Sequence, residues 1–490
     1  MHGVCKPNPC EQAPHRAFSL SPELCAKLTA ITGPAYALTD MDDMAPFLAE
    51  KRGLYHNPAA MVLRPGSTAE VAAIMEIANA TNASIVPQGG NTGLVGAQVP
   101  LGTGNEIVLS LGRLDRIRAI DPLNNTMTVE AGCILADIQK AADEADRLFP
   151  LNLAARGSCQ IGGNLSTNAG GANVLAYGNA RGLVLGIEVV LADGRIWNGL
   201  RTLRKDNTGY DLKQLFLGAE GTLGIITAAV LQLFSRPRDH ATAFVAVGDP
   251  QAALDLLALA DGADGGRVVA LELLPRLGVE LTIRHAGARD PLPTPYGWYV
   301  LLELTGGQGD GTLNAVMEDI LARAHERGLV RDAMICASGD QRDRLWHMRD
   351  SMSRVQNDRG ASIKHDISVP VSHIPDFLGE ADAQIGALAP GAGIIAFGHI
   401  GDGNIHYDIS QPEGADGGAF LRRTAEINEV VYGIVRKHGG SISAEHGIGR
   451  MKRQLMCDIK DPVEFEMMWN LKKLFDPKGI LNPGKMLPDR

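Results

Sequence analysis

The pattern of apolar and polar positions predicts alternating strands and helices in the first third of the chain. Residues 61–63 and 84–87 are short apolar runs, and apolar residues recur at helical spacing between them. Ser67 followed by Glu70 forms a capping-box pattern at the start of that helix. The segment from 61 to 87 is therefore predicted to be a βαβ unit.

The same two patterns continue through the chain. Further strands are predicted at 107–111, 126–132, 229–234, 243–247 and 297–304, with a hairpin over 186–197 that turns at 192–194. Further helices are predicted from Ser21-Pro22 and over 134–145, 251–260, 312–327 and 340–358. From residue 241 onward, the order of strands and helices is typical of a ferredoxin-like α+β unit.

Composition excludes several classes of protein. A chain of 490 residues is too long for one core, so two or three domains are expected. A net charge of −10 argues against nucleic acid or an anionic membrane surface as a partner. No apolar run is long enough for a transmembrane segment, and prolines interrupt the first twenty residues where a signal peptide needs an apolar core.

The seven cysteines are an odd number scattered along the chain, which is typical of reduced thiols in the cytoplasm. Cys5, Cys10 and Cys25 lie close together, but no paired His or Cys completes a metal site. We interpret this region as a loosely packed leader and expect a cytoplasmic location.

Three glycine-rich segments are the first candidates for ligand binding. They cover residues 87–96, 157–171 and 216–227, and each combines glycine with Ser, Thr, Asn or Gln. Glycine lets a backbone approach a ligand closely, and successive N–H groups can surround a pyrophosphate. The alternative is a set of tight turns between short strands.

In this order and with these flanking strands, residues 57–236 resemble the flavin-binding domain of the vanillyl-alcohol oxidase and p-cresol methylhydroxylase superfamily. The resemblance implies FAD held between two small α+β subdomains, with its pyrophosphate under the loops at 89–93 and 157–171. Some members bind FAD covalently through a His after a Gly-Gly pair; Asn91 stands at that position, so non-covalent FAD is implied. The residues implied in FAD binding are Pro87, Gly89, Gly90, Asn91, Thr92, Gly93, Gly157, Ser158, Gly162, Gly163, Asn164, Thr167, Asn168, Gly170, Gly171, Tyr177, Gly178, Glu220, Gly221, Gly224, Ile225, Ile226 and Asn482.

Histidines and a carboxylate form a second group of candidates. His399 and His406 flank a turn rich in Gly, Asp and Asn, and Glu445 directly precedes His446. Two imidazoles and a carboxylate suit Zn²⁺ or another divalent transition ion with open coordination positions. The alternatives are a simple hairpin turn and ordinary histidines without a ligand.

A third group could recognise a carboxylate. Arg349 and Ser353 are four residues apart on the predicted helix, so they share a face, and Lys364 follows. An Arg fork with a nearby Lys suits a carboxylate ligand. The alternative is a solvated helix surface, because several neighbouring residues are also charged.

With these groups and the segment 475–485, residues 240–487 resemble the cap and C-terminal part of the FAD-linked D-2-hydroxyacid dehydrogenases. The resemblance implies His446 as the catalytic base and a divalent metal, expected to be zinc. The implied metal ligands are His399, His406 and Glu445, and the implied substrate-binding residues are Arg349, Ser353, Lys364, Asp408 and His446. Members that act on hydroxyglutarate are expected to carry Asn where this chain has Asp408, and a carboxylate there repels a carboxylate substrate unless it is protonated or paired.

The implied reaction is oxidation of a D-2-hydroxyacid to the 2-oxoacid by hydride transfer to flavin N5. D-2-hydroxyglutarate is the expected substrate, with D-lactate or glycolate as the alternative. A flavin-dependent oxidase and a non-catalytic flavin-binding subunit are alternatives of other classes. Electrons would then pass to an electron-transfer flavoprotein, a quinone or a cytochrome, and a homodimer stays open.

The expected fold class is α+β. We predict an N-terminal leader and helices over 1–56 and a two-subdomain FAD-binding domain of the p-cresol methylhydroxylase type over 57–236. A ferredoxin-like substrate cap is predicted over 237–440, and a C-terminal helical segment over 441–490 that packs back on the FAD-binding domain.

Overall fold

A computed structural model describes residues 20–263, 266–307, 309 and 311–488. The strands are β1 (Ala37–Leu38), β2 (Met61–Leu63), β3 (Ser84–Gln88), β4 (Glu106–Ser110), β5 (Ile117–Asp121), β6 (Thr126–Glu130), β7 (Arg147–Leu148), β8 (Val184–Val190), β9 (Ile196–Gly199), β10 (Ile225–Gln232), β11 (Phe234–Ser235), β12 (Asp239–Val247), β13 (Arg267–Pro275), β14 (Trp298–Gly306), β15 (Val330–Ile335), β16 (Ser362–Ser368), β17 (Gly393–His399) and β18 (Asn404–Ser410). The helices are α1 (Pro22–Thr32), α2 (Met41–Leu48), α3 (Thr68–Thr81), α4 (Leu135–Glu144), α5 (Ile161–Ser166), α6 (Val174–Tyr177), α7 (Lys213–Phe216), α8 (Pro250–Asp261), α9 (Arg276–Ala286), α10 (Thr312–Glu326), α11 (Gly339–Val355), α12 (Ile374–Leu388), α13 (Gly417–Arg422), α14 (Thr424–Lys437), α15 (Met456–Ile459) and α16 (Pro462–Phe475).

A four-stranded sheet of order β1-β2-β4-β3 carries the first glycine-rich segment. β2, β4 and β3 are parallel, and α3 connects β2 to β3, which confirms the predicted βαβ unit. Ser67 caps α3 by accepting a hydrogen bond from the Glu70 N–H at 3.2 Å. The helix buries Ile74, Met75 and Ala78 against the sheet, so the apolar stripe read from the sequence is its packing face.

A second, antiparallel sheet has the order β5-β6-β10-β8-β9 and supports the other two glycine-rich segments. The predicted hairpin is the pair β8–β9. The central strand β10 is buried from Ile225 to Leu231, as expected for a strand with neighbours on both edges. Because the third glycine-rich segment leads directly into β10, its position is fixed by the centre of this sheet.

The cap is built on a seven-stranded antiparallel sheet of order β15-β12-β14-β13-β17-β18-β16. Adjacent residues such as Phe244 and Val245 belong to two different apolar clusters, as the alternation of side chains across a strand requires. One cluster includes residues of α8, α10, α12 and α14, and the other includes residues of α9 and α11. The predicted alternation accounts for β12, α8, β14 and α10; the sheet is larger because β13 and β15–β18 extend it.

The C-terminal segment joins the cap to the first sheet. Ser441 pairs with Ser368 at the end of β16, and Leu481 pairs with Ile85 of β3. The N–H of Asn482 donates to the carbonyl of Ile85 at 2.8 Å. Residues 441–482 therefore run from the edge of the cap sheet to the strand that precedes the first glycine-rich loop.

None of the helices in the described ranges combines the length and apolar character that crossing a membrane would need. Cys25 is a free thiol in α1, whereas Cys5 and Cys10 lie outside the described residues. The interpretation as a loosely packed leader is therefore wrong for Cys25, which lies in a capped helix, and stays a prediction for residues 1–19.

Candidate functional site: a flavin cleft beside a histidine–carboxylate cluster

The three glycine-rich segments meet at one cleft. Residues 87–93 lie on one side, α5 with the residues after it on another, and 220–226 at the base. The predicted cofactor residues that line it are Pro87, Gly89, Gly90, Asn91, Thr92, Gly93, Gly162, Gly163, Asn164, Thr167, Gly170, Glu220, Gly221, Gly224, Ile225, Ile226 and Asn482. Glu445 and His446 line the same cleft, which brings the candidate catalytic pair to the candidate cofactor site.

Close packing explains why glycine is needed at this cleft. A side chain at Gly90 would place its Cβ 2.0 Å from the carbonyl oxygen of Ser158, so the first two glycine-rich loops touch backbone to backbone. A Cβ at Gly163 would meet nothing within 4 Å, so this glycine keeps the cleft open instead. The two glycines therefore serve loop packing and ligand access, respectively.

Six predicted cofactor residues lie outside the walls of the cleft, and their role stays a prediction. Asn168 Oδ1 accepts a hydrogen bond from the Arg181 N–H at 2.9 Å, and Tyr177 packs edge-on against Phe234. Both side chains are thus engaged elsewhere. The six residues are Gly157, Ser158, Asn168, Gly171, Tyr177 and Gly178.

The cleft contains polar atoms that the described protein residues leave without a partner. Buried amide oxygens of Gln98, Gln160, Asn164 and Asn482 line it and have no hydrogen-bond partner. An unpaired buried polar group is costly, so such a set indicates a site that a polar ligand completes. A cofactor with ribityl hydroxyls and ring N–H groups supplies matching donors, and the residues therefore fit FAD.

Asn91 is turned away from a covalent role. Its Nδ2 donates to the carbonyls of Pro46 at 3.1 Å and Ala49 at 2.8 Å. Its backbone has a φ of 52°, in the left-handed region that Asn tolerates better than most residues. The side chain thus anchors the loop to α2, and an amide cannot form the bond that an imidazole makes to flavin.

The three predicted metal ligands converge next to the cleft. His399 ends β17 and His406 lies in β18, so the hairpin brings the two imidazoles together, while Glu445 comes from the C-terminal segment. Nε2 of His399 lies 3.6 Å from Glu445 Oε1, and Nε2 of His406 lies 3.8 Å from Glu445 Oε2. All three ligand atoms lie within 4.8 Å of one another.

The two distances from histidine nitrogens to Glu445 oxygens, 3.6 and 3.8 Å, suit one small ion. Two atoms bound to the same divalent ion at about 2.0–2.1 Å are separated by at most about 4.2 Å. Burial lowers the pKa of His406 to about 3, which keeps its imidazole in the neutral, metal-binding form. Burial also raises the pKa of Glu445 to about 7, so a cation would relieve its unfavourable ionisation. The donor set therefore fits a divalent metal.

Glu272, in the middle of β13, connects the metal cluster to the arginine. His399 Nδ1 lies 2.5 Å from Glu272 Oε1, and Arg349 Nε donates to Glu272 Oε2 at 2.6 Å. Arg349 Nη2 also lies 3.2 Å from His399 Nε2, so the guanidinium and the candidate metal ligand are direct neighbours. Burial opposes ionisation of Glu272, but the charges of Arg349 and His399 outweigh it and lower its pKa to about 2.

Asp366, in the middle of β16, holds the catalytic segment. Its Oδ2 accepts hydrogen bonds from the backbone N–H groups of Glu445 at 3.0 Å and His446 at 2.9 Å. The same oxygen lies 3.5 Å from Nδ1 of His446, and Asn404 Nδ2 donates to Oδ1 at 3.1 Å. Asp366 also forms a second possible metal-binding set with Glu445 and His446. The carboxylate thus orients the His446 ring, whose side chain is 31% exposed.

Glu220 connects the flavin loop to the same segment. It lies in the third glycine-rich segment with a φ of 50°, and its buried carboxylate accepts from the N–H groups of Ile448 at 2.7 Å and Gly449 at 2.8 Å. Burial raises the pKa of Glu220. The residue therefore fixes the distance between the flavin cleft and His446, a role more specific than the predicted contact with FAD.

The predicted carboxylate-binding group divides into two parts. The helix predicted over 340–358 ends as α11 at Val355 and continues as a 3₁₀ turn over Gln356–Arg359. Arg349 is buried on α11, so it does not belong to a solvated helix surface, whereas Ser353 is exposed. Lys364 Nζ donates to Ser353 Oγ at 3.1 Å and to its carbonyl oxygen.

Asp408 faces Lys364 across the β16–β18 ladder. The carboxyl group is 2% exposed and accepts a hydrogen bond from Gln356 Nε2 at 2.9 Å. Burial raises the pKa of Asp408 to about 6. The residue is thus paired with an amide, and where ionised it partly offsets the positive charge of Lys364 opposite it.

Sequence reasoning missed Glu272 and Asp366. Glu272 is a single carboxylate inside the apolar strand β13, and Asp366 is a buried carboxylate in the mixed strand β16. A charge at a buried strand position requires a partner, which is the signal that could have identified both. Their partners lie 38 or more residues away along the chain, so no local motif points to them.

Two family models match the chain. The FAD binding domain covers residues 59–199, and the C-terminal domain of FAD linked oxidases covers residues 236–486. By fold, p-cresol methylhydroxylase with bound substrate aligns with a TM-score of 0.75 at 18% identity, over 96% of this chain and 98% of that one. An alkyldihydroxyacetonephosphate synthase aligns with a TM-score of 0.73 at 18% identity, over 95% of this chain and 86% of that one.

Relatives of known name match nearly the full length. A probable mitochondrial D-2-hydroxyglutarate dehydrogenase of Oryza sativa subsp. indica is 39% identical over 94% of this chain and 80% of its own. The D-2-hydroxyglutarate dehydrogenase of Stutzerimonas stutzeri is 34% identical over 95% of this chain and 99% of its own. The fold and the flavin cleft define an FAD-dependent oxidoreductase. Within that class, the chain belongs to the FAD-linked D-2-hydroxyacid dehydrogenases, and its fold is similar to that of p-cresol methylhydroxylase.

Proposed function

We propose that this protein oxidises D-2-hydroxyglutarate to the 2-oxoacid with FAD and a divalent metal. The observation that carries the proposal is that Glu445 and His446 line the flavin cleft while Glu445 also belongs to the His399–His406 cluster. A hydroxyacid at this junction would meet a metal site, a base and the flavin together.

His399, His406 and Glu445 are the residues that would hold the metal, and zinc suits two imidazoles with a carboxylate. When bound, FAD supplies an acceptor for the hydride on C2, and a divalent ion lowers the pKa of the substrate hydroxyl. Two of the cluster's ligands come from one hairpin and the third from the C-terminal segment. The cluster thus forms only when the cap and the C-terminal segment are correctly packed.

His446 is the group that would take the proton of the substrate hydroxyl. Its Nδ1 lies 3.5 Å from Asp366 Oδ2, so the opposite nitrogen, Nε2, is the one free to act as base. Burial lowers the pKa of His446, which keeps the imidazole neutral and able to accept a proton. The hydroxyl proton would end on Nε2 as the substrate becomes a 2-oxoacid.

Arg349 and Lys364 would hold the substrate carboxylates. Arg349 lies beside His399, so its guanidinium is suited to a carboxylate next to the metal site. Lys364 lies two positions along β16 from Asp366, on the same side of the sheet, and suits a second carboxylate that lies farther from the metal site. Two cations at different distances from the metal site match the two carboxylates of a dicarboxylate.

D-lactate or glycolate is the alternative substrate within the same class, and Asp408 favours it. A carboxylate opposite Lys364 reduces the positive potential available to a second substrate carboxylate. The names of the relatives support the dicarboxylate. Rates with D-2-hydroxyglutarate, D-lactate and their L-isomers, measured with an artificial electron acceptor, decide between them.

We further propose that FAD is bound non-covalently, because Asn91 cannot form a bond to flavin; acid precipitation should leave all flavin in the supernatant. The reduced flavin would pass electrons to an electron-transfer flavoprotein, a quinone or a cytochrome. The five cysteines in the described ranges are free thiols, which supports a cytoplasmic location. Activity toward none of the acids by a flavin-loaded protein would instead favour a non-catalytic flavin-binding subunit.

A further inference from the structure

A second cavity of about 790 Å³ lies next to the flavin cleft. One wall comes from α4 and the residues after it, and the other from β13, β14 and α11 of the cap. Its lining combines charged side chains with Phe149, Tyr177 and Trp346. The cavity therefore has the size and mixed lining of a small-molecule site.

The charges in this cavity leave an excess of cations. Among its carboxylates, Asp143 lies 3.0 Å from Arg236, and Glu303 lies 2.7 Å from Arg342. The other two also have a guanidinium within 4.0 Å: Asp343 lies 3.7 Å from Arg342, and Asp350 lies 3.9 Å from Arg349. Glu303 and Asp343 share Arg342, and Arg349 lies outside the lining, so the lining holds five Lys and Arg side chains against four carboxylates.

Three cations of the lining form no ion pair within 4.0 Å in the described part of the chain, although the charge of Arg156 still acts on Asp350. They are Lys140, Arg147 and Arg156. Arg147 is held by the carbonyl of Pro122 and by Asn125 Oδ1, whereas Lys140 and Arg156 are exposed. On a chain with a net charge of −10, this local surplus makes the cavity a favourable place for an anion.

One short loop separates the cavity from the flavin cleft. Residues 153–155 line the cleft, while Asn152 and Arg156 line the second cavity. On the opposite wall, His347 and Asp350 of α11 line the cavity next to Arg349, whose guanidinium contacts His399. The cavity therefore comes close to the carboxylate-binding arginine, which lies 3.9 Å from Asp350.

We propose that this cavity is the vestibule through which the anionic hydroxyacid reaches Arg349, with Lys140 and Arg156 attracting its carboxylates. The inference rests on the proposed function, because it assumes an anionic substrate. Cations at the mouth of a site raise the local concentration of an anion and its association rate, and salt suppresses the effect. The two residues should thus affect substrate capture rather than the chemical step.

The test is the double variant Lys140→Ala/Arg156→Ala, with Arg327→Ala/Arg422→Ala as the control. The control removes the same charge from exposed positions on the cap, outside both cavities. At low ionic strength, kcat/KM for D-2-hydroxyglutarate should fall about tenfold in the vestibule variant and less than twofold in the control. At about 1 M salt, where the screening length is about 3 Å, the difference should disappear, with kcat retained throughout.

A charge-reversal variant, Arg156→Glu, changes the charge by the same two units as the double variant and should lower kcat/KM to a similar extent, with a smaller loss for monoanionic D-lactate than for the dianion. Equal kcat/KM in wild type and the double variant at low ionic strength would overturn the vestibule. A loss of kcat/KM in the double variant that persists at 1 M salt would also overturn the vestibule, because an unscreened loss would have a structural cause. Failure of the proposed function would give a different result, because the wild-type protein itself would then oxidise neither acid.

Discussion

Glu272 binds His399 through a hydrogen bond of 2.5 Å to Nδ1, and its second oxygen accepts from Arg349 at 2.6 Å. One buried carboxylate thus fixes the ring of a candidate metal ligand and the fork of a candidate substrate ligand. A carboxylate behind a metal-binding histidine sets its tautomer and orientation. The distance between the metal-binding and substrate-binding residues is therefore set by Glu272, which is itself predicted to bind neither the metal nor the substrate.

Replacing Glu272 with Gln should weaken metal binding about 10- to 100-fold, because His399 loses its charged orienting partner. Stability should fall by about 3–5 kcal/mol, since Arg349 keeps a buried charge without its carboxylate. Chelator competition and denaturant unfolding measure the two effects. The control is Glu280→Gln, at a half-exposed residue that pairs with Arg276. Wild-type metal affinity in Glu272→Gln would contradict the role of Glu272.

Replacing His446 with Ala should slow flavin reduction by about 10²- to 10⁴-fold, the usual contribution of a positioned base, with FAD still bound. Rapid mixing with substrate under anaerobic conditions measures the rate. His285→Ala, on α9 of the cap, removes an imidazole outside the flavin cleft and should reduce flavin normally. Near wild-type reduction in His446→Ala would assign proton removal to another group.

Replacing Glu220 with Ala leaves the N–H groups of Ile448 and Gly449 without their acceptor, at a cost of about 1–3 kcal/mol for each. Amide hydrogen exchange should accelerate at 445–449, and flavin reduction should slow because His446 is less well placed. Glu429→Ala removes an exposed carboxylate from α14 as the control. Unchanged exchange at 445–449 would show that Glu220 does not hold this segment.

Replacing Asp408 with Asn removes a negative charge opposite Lys364 and keeps a hydrogen-bonding partner for Gln356. KM for D-2-hydroxyglutarate should fall at least about fivefold, because a second carboxylate no longer meets a like charge. KM for D-lactate, which has no second carboxylate, should change less than twofold and serves as the internal control. Equal changes in KM for both acids would show that Asp408 does not affect binding of the second substrate carboxylate.

The sequence predicted the parts of the site that lie in local motifs. His399 and His406 are seven residues apart across a glycine-rich turn, and the hairpin β17–β18 follows directly from that spacing. The flavin cleft was predicted from the glycine-rich segments, two of which adjoin β3 and β10, together with the resemblance of residues 57–236 to a flavin-binding domain. Functional residues that lie within one short motif can therefore be predicted from the sequence alone.

The positioning residues could not be predicted in this way. Glu272 and Asp366 act across strand pairing, and the register of β13 with β17 or of β16 with β18 decides which side chains meet. Glu220 was predicted as a contact of the flavin, but its left-handed backbone turns the carboxylate to the amides at 448 and 449. Such roles depend on tertiary packing that the sequence pattern does not contain.

The most direct test of the account is anaerobic bleaching of the flavin absorbance by D-2-hydroxyglutarate, with and without a chelator. The account predicts rapid bleaching by the D-acid, none by the L-acid, and loss of bleaching in the chelator-treated protein that added Zn²⁺ restores. Bleaching that survives complete metal removal would contradict the role of the His399–His406–Glu445 cluster. A flavin that no D-2-hydroxyacid reduces would contradict the proposed reaction itself.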